Sequence, residues 1–364
     1  MQNNKLAELS RRVKDEGLDA IIVGPSSDLE YLTGLHFHPD ERFIGLFNLS
    51  DGRAFYIIPE LYYEETREGL GSEADIFVWS DTDGFLSAIC KARDKYGIRG
   101  MSAGVNDGIR AVDLLDMKGC LEASFSNGSG ILERMRLIKN EEERDFLRKA
   151  AAIADRVVAE TIKYIRPGLL ERDISNKIEE LFLEFGGQGL AFDSIVASGS
   201  NTSRPHYNGD DRRIEDRDIL ILDLGCRYNG FCSDISRTVF VGEPTEEQRK
   251  IFDIVVRANG AAENLVRPGV TAGQVDLAAR TIIREEGYGN CFLNRTGHGV
   301  GMAVHEGPYI KEGNSQVLEA GMAFSVEPGI YIAGRFGMRL EDIVLVTESG
   351  REVLNKATRD IIIV

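Results

Sequence analysis

Apolar and polar positions recur along this chain with two periods, and the switches between them mark its parts. Short unbroken apolar runs at Ala20 to Val23 and Ile219 to Leu222 have the pattern of buried strands. Ile44 to Leu49 and Ala54 to Ile58, separated by Ser50-Asp51-Gly52, predict a hairpin. Further strands are predicted near 75–79, 99–105 and 121–125, and helical periodicity covers Leu6 to Lys14 and the stretches near 60–68 and 84–95. The N-terminal third is therefore expected to be an α/β domain with a mixed sheet. Ser126-Asn127-Gly128-Ser129-Gly130 is the clearest linker composition. It places one domain at 1–130, a linker helix at about 131–137, and a second domain at 138–364.

The second domain repeats itself. Asn140 and Thr245 each stand where a helix cap is expected, with Glu143 and Gln248 three residues on. Each opens a long amphipathic helix that ends in Arg-Pro-Gly, at 166–168 and again at 267–269, 101 residues later. At the same offset Ile174 matches Val275, Leu181 matches Ile282, Phe182 matches Ile283 and Gly186 matches Gly287. Strand-rich stretches follow at 191–241 and 292–348. Two copies of one helix–helix–sheet unit are predicted.

The repeat carries the candidate chemistry. Asn229-Gly230 is a hairpin signal that puts position 223 opposite 236, so Asp223 and Asp234 point to one face of the ribbon. The second half offers Glu327 and Glu341 on an equivalent pair of strands. Four buried carboxylates at one centre repel one another unless cations compensate. Their charge suits two divalent ions, and oxygen-dominated ligation favours Mn²⁺, with Co²⁺, Fe²⁺ or Zn²⁺ also compatible. Two such ions can activate a shared water and polarise a carbonyl. The histidines of this domain are His206, His298 and His305, all in segments punctuated by Gly or Pro. The glycines beside His298 allow the close backbone approach that a crowded centre needs.

Composition narrows the class. The 364 residues carry a formal charge of −16, which argues against nucleic acid and anionic membrane surfaces as partners. No apolar stretch is long enough for a membrane span and no signal peptide is indicated, so a cytoplasmic protein is expected. The five cysteines lack CxxC spacing and are expected to be thiols, with Cys226 and Cys232 as packing residues. The segment His36 to Arg42 reads by itself as a polar surface loop.

Asp223-Leu-Gly, Ser233-Asp234-Ile-Ser-Arg-Thr238, Thr296-Gly-His298-Gly-Val-Gly301, His305-Glu306, Glu327-Pro-Gly329 and Arg339-Leu-Glu341-Asp342 together resemble the metallopeptidases of pita-bread fold, and within them the Xaa-Pro group of prolidase and aminopeptidase P. The likeness covers 138–364 and extends more weakly to a creatinase-type N-terminal domain. It implies an α/β domain followed by a pseudo-twofold α+β catalytic domain. It also implies that Asp223, Asp234, His298, Glu327 and Glu341 ligate two metal ions, with Asp234 and Glu341 bridging. A hydroxide shared by the ions would attack the Xaa-Pro bond of a dipeptide or short peptide, with Glu327 shuttling its proton. His305 would stabilise the oxyanion, His206 would contact the substrate, and Arg339 would hold a bridging carboxylate or a substrate terminus. A homodimer is implied too, with loop 36–42 near the partner's active site. The departure is Asn294, where prolyl-specific members carry a histidine, and it points to a relaxed proline preference as the alternative. A methionine-aminopeptidase-like enzyme is disfavoured by the long N-terminal domain, and metal-free creatinase-like or binding proteins by the complete ligand set.

Overall fold

The apolar run Ala20–Val23 lies inside a six-stranded sheet of a computed structural model that describes residues 2–364, with side chains from residue 4 onward. The strand order is Ile76–Trp79, Ala54–Pro59, Gly45–Leu49, Ala20–Val23, Ser102–Val105, Ser124–Asn127. Ala20–Val23 pairs antiparallel with Gly45–Leu49 and parallel with Ser102–Val105, so the sheet is mixed, as its alternation with helices predicts. Successive side chains serve opposite faces. Ile22 packs with Phe47, Phe55 and Trp79, while Ile21 and Val23 pack with Leu9, Leu29 and Leu132.

Two helices of this part escaped the pattern, Ser27–Thr33 and Ala111–Leu121, and the helix expected at about 131–137 runs Ser129–Arg136. The linker-like residues 126–130 include the end of the edge strand Ser124–Asn127 and the start of the last helix. Gly128 is small for a tertiary reason, since a Cβ there would sit 3.1 Å from the backbone of Gly104. The helix after it buries Ile131, Leu132 and Met135 in the same apolar cluster as Leu9 and Ile21. The chain divides into units Met1–Arg136 and Leu137–Val364.

The cysteine expectation needs correction. Cys90 and Cys120 are joined in a disulfide between helices Phe85–Tyr96 and Ala111–Leu121, with Cα atoms 6.3 Å apart. Their spacing carries no motif, and only the packing of the two helices brings them together. Cys226 is a buried thiol whose pKa burial pushes up to about 11, as suits a packing residue. Among the described residues no helix is long and apolar enough to cross a membrane. The loop 36–42 is tied down by charge: Arg42 forks onto Asp81 at 3.1 and 3.0 Å, and His36 lies 2.9 Å from Glu30.

In the second unit the repeat is geometric. The long helices Glu141–Tyr164 and Glu246–Leu265 open with the capping boxes Asn140/Glu143 and Thr245/Gln248. The following helices, Glu171–Glu184 and Ala272–Glu285, start and stop 101 residues apart. Gly168 and Gly269 have φ of 94° and 89°, and Gly186 and Gly287 have 92° and 89°, the left-handed geometry that glycine reaches without penalty. The first helix pair packs on a four-stranded sheet ordered Ile362–Ile363, Ile235–Phe240, Ile219–Leu224, Ile195–Ser198. The second packs on a five-stranded sheet ordered Glu306–Ile310, Gly297–Gly299, Ala323–Val326, Asp342–Val346, Arg351–Val353. The architecture is thus an α/β unit followed by a pseudo-twofold α+β unit. A bridge between Ser236 and Glu341 links the two sheets where the carboxylates lie.

Candidate metal centre

The hairpin Ile219–Leu224/Ile235–Phe240 has the register that its turn predicts, with Asp223 opposite Ser236. Asn229 and Gly230 both have positive φ, 47° and 81°, as a type I′ turn requires. Asp223 and Asp234 are buried on the face turned toward the second repeat. In that repeat Val326 pairs with Asp342, which leaves Glu327 and Glu341 at the mouth of the ribbon. His298 sits mid-strand in Gly297–Gly299, and a Cβ at either glycine would lie 1.8–2.0 Å from the carbonyl oxygens of Ser325 and Gly307.

These residues converge. Ligand atoms of Asp234, His298 and Glu341 lie within 4.8 Å of one another, and all three residues are buried. His298 Nε2 is 3.1 Å from Glu327 Oε1 and 3.7 Å from Asp234 Oδ2, while its Nδ1 faces the carbonyl of Gly299 at 3.2 Å. Arg339 is itself buried and donates to Asp223 Oδ2 at 2.6 Å, Ser236 Oγ at 2.8 Å, Tyr331 Oη at 2.8 Å and the Pro205 carbonyl at 3.2 Å. Ser236 in turn donates to Glu341 Oε2 at 2.7 Å. Asp223 Oδ1 and Glu341 Oε1 are buried and accept no hydrogen bond from the chain. An acceptor in that state is costly, and a cation is the partner these oxygens fit.

Electrostatics agree with that fit. Burial first, then the charges of Glu341, Asp223 and Glu327, hold Asp234 well above the usual carboxylate range. Burial followed by Glu327 and Asp223 does the same to Glu341. Burial raises Asp223 although Arg339 pulls against it. At Glu327 burial is outweighed by the hydrogen bond and charge of His298, so its pKa is lowered. His305 stacks edge-on to His298 with ring centroids 4.2 Å apart and turns its other side to solvent. Burial of the packed side, then the charges of His298 and Arg295, press its pKa down to about 4, so its ring is neutral at neutral pH.

A cavity of about 390 Å³ opens over the centre, lined by Asp223, Asp234, His298, Glu327, Glu341 and Arg339 together with His206, His305 and Asn294. All eight candidate residues from the sequence therefore face one space. Sequence reasoning missed Ser236, which couples Arg339 to Glu341, and Tyr331, which braces Arg339. Ser236 was within reach, since the predicted register sets it directly opposite Asp223. It also missed Phe192, Ile195, Arg295 and Val304 in the cavity wall, for which the pattern holds no signal.

Comparison with known proteins agrees with this architecture. Residues 145–348 match metallopeptidase family M24, and residues 5–138 match the creatinase/prolidase N-terminal domain. The chain is 37% identical to a probable dipeptidase PepE of Mycobacterium tuberculosis over 366 residues, 99% of this chain and 96% of that protein. It is 35% identical to an Xaa-Pro dipeptidase of Pyrococcus furiosus, covering 98% of this chain and 99% of the relative. A crystal structure of recombinant prolidase from Thermococcus sibiricus superposes with a TM-score of 0.96 at 35% identity, over 100% of this chain and 99% of that one. The chain belongs to metallopeptidase family M24, with a creatinase/prolidase N-terminal domain preceding the unit that holds the carboxylate centre.

Proposed function

We propose that this protein is a dinuclear-metal hydrolase that cuts the Xaa-Pro bond of dipeptides or short peptides. The observation that carries the reading is the pair of buried oxygens, Asp223 Oδ1 and Glu341 Oε1, left without a donor beside Asp234, Glu327 and His298. These five residues would hold two divalent ions. The donor set, four carboxylates and one imidazole, favours Mn²⁺. When bound, the ion pair supplies an activated water and polarises the scissile carbonyl.

The other roles follow from the side chains. Glu327, ionised because of His298, accepts the proton released by the water and passes it to the departing nitrogen. His305, neutral near pH 7, donates a hydrogen bond to the developing oxyanion. His206 contacts the substrate beside the bond. Arg339 holds Asp223 with a charge-assisted bond, and the three acceptors besides Asp223 leave it committed to the protein. A homodimer with loop 36–42 near the partner's site, and a cytoplasmic location, belong to the same proposal. The thiols at Cys226 and Cys291 speak for that compartment and the Cys90–Cys120 bridge against it.

A second reading, relaxed preference for proline, is favoured by Asn294, whose buried Oδ1 accepts no hydrogen bond within the chain. One assay separates the readings: metal-free and Mn²⁺-reconstituted protein, offered an Xaa-Pro dipeptide, an Xaa-Pro-Xaa tripeptide and a dipeptide lacking proline. Metal-dependent cleavage of the proline peptides alone is expected. Equal cleavage of the third substrate would favour the second reading, and no metal-dependent cleavage of any would sink both.

A further inference from the structure

Next to His305 in the chain, a second buried pair of charges stands outside the carboxylate centre. Lys139 Nζ is 2.6 Å from Glu306 Oε1, and the two side chains are 1% and 3% exposed. The backbone of Lys139 is fixed on both sides: its amide donates to the Gly321 carbonyl at 2.9 Å, and its own carbonyl accepts from Arg144 Nε at 2.8 Å. A buried ion pair returns little stability, because desolvating both charges offsets their attraction. What this pair holds is a loop. Strands Gly297–Gly299 and Glu306–Ile310 pair Gly299 with Glu306, and residues 300–305 between them belong to neither strand nor helix. The Glu306 carboxylate fills the space under Gly301, where a Cβ would lie 2.3 Å from Oε1, and its Oε2 accepts from the Ala303 amide at 3.4 Å. The turn of the loop is thus set on one carboxylate, and Lys139 fixes that carboxylate.

The loop ends in His305. Successive residues of an extended chain face opposite sides, so Glu306 points inward while His305 stands exposed in the cavity wall. The His305 ring touches His298 edge-on, with centroids 4.2 Å apart, and its other side faces solvent. The loop backbone therefore sets where this imidazole stands. His298 is held differently: its amide donates to Ser325 Oγ at 3.1 Å, and its strand lies between Glu306–Ile310 and Ala323–Val326. We propose that Lys139 and Glu306 are positioning residues that hold loop 300–305 and thereby aim His305 at the carbonyl being cut. The inference rests on the hydrolase reading above and deepens the part given there to His305. A hydrogen bond that strengthens as charge develops on the carbonyl oxygen acts in the transition state. Misplacing its donor therefore lowers kcat and spares KM.

The test uses Mn²⁺-reconstituted protein, an Xaa-Pro dipeptide, and the variants Lys139→Met, Lys139→Met/Glu306→Gln and His305→Ala. Lys139→Met leaves a carboxylate buried alone and is expected to melt earlier than wild type. The double variant removes both charges at nearly constant shape and should melt close to wild type. Both should lose about 10- to 100-fold in kcat, with KM and Mn²⁺ affinity unchanged. Added to His305→Ala, the double variant should cost nothing further, because groups that act through one another are not additive. That cycle separates the aiming of His305 from general support of the fold, which would lower kcat whether or not the imidazole is present. A folded double variant with wild-type kcat, or a loss as large without His305 as with it, overturns the proposal and leaves the hydrolase reading standing. So does a loss of Mn²⁺ affinity, since the pair would then be serving His298. A wild type that cuts no dipeptide overturns the hydrolase reading and this inference with it.

Discussion

At the residue scale the centre depends on a chain of contacts running from Asp223 to Arg339, Ser236 and Glu341. Arg339 gives Asp223 its salt bridge, at 2.6 Å. Replacing it by Met would leave a buried carboxylate unpaired, so Arg339→Met should cost the metal-free protein about 3–5 kcal/mol of stability. It should also weaken metal binding by about 10- to 100-fold, because a ligand loses the group that orients it. Chemical denaturation and Mn²⁺ titration would measure both, and an unchanged metal affinity would count against Asp223 as a ligand. Asp223 and Asp234 were legible from strand alternation alone, since side chains two apart share a face. Tyr331 was not, because its bond to Arg339 exists only once strands Gly329–Ile332 and Phe336–Arg339 pair.

At the element scale, glycines decide where His298 can stand. The strands on either side approach Gly297–Gly299 so closely that a Cβ at 297 would lie 1.8 Å from the Ser325 oxygen. Gly297→Ala should therefore destabilise the protein by about 3 kcal/mol and displace the imidazole from Glu327. Gly119→Ala makes the control: that helical glycine has open space around it, and alanine there should be neutral or stabilising by up to about 1 kcal/mol. Melting temperatures of the two variants check this, and a Gly297→Ala protein as stable as wild type would remove the steric account. The helices of the repeat were legible because their caps, Pro-Gly stops and apolar phase agree across 101 residues. Helix Ser27–Thr33 was not, because seven residues are too few to show a helical period.

At the scale of the whole molecule the carboxylate centre couples stability to pH and metal. Asp223, Asp234 and Glu341 have folded pKa values raised above the ordinary 3.8 and 4.5 by burial and mutual repulsion. Above the ordinary range, and up to those raised values, the metal-free native state binds more protons than the unfolded chain. Its stability must therefore fall as pH rises through that window. Glu327, lowered, acts in the opposite sense but below the ordinary range. The metal-free protein should gain melting temperature as pH is lowered through that window toward the ordinary carboxylate range, and Mn²⁺ should raise stability while flattening the slope. General relief of the −16 charge would give a slope of the same sign. Glu341→Gln separates the two, since it should flatten the metal-free slope while hardly changing the overall charge. A metal-free melting temperature that climbs with pH would contradict the raised carboxylates.

Local pattern by itself determined the strands, the capped helices, the type I′ turn and the face on which each aspartate points. All of these follow from the period of the backbone and the chemistry of a few neighbouring residues. The internal repeat extended that reach to Glu327 and Glu341, because two copies of one unit place equivalent residues equivalently. Tertiary structure alone decided which cysteines meet, that Arg339 is spent on the protein, and which oxygens lack a donor. Those properties depend on what surrounds a side chain in space, and burial, repulsion and pairing arise only once distant segments pack together.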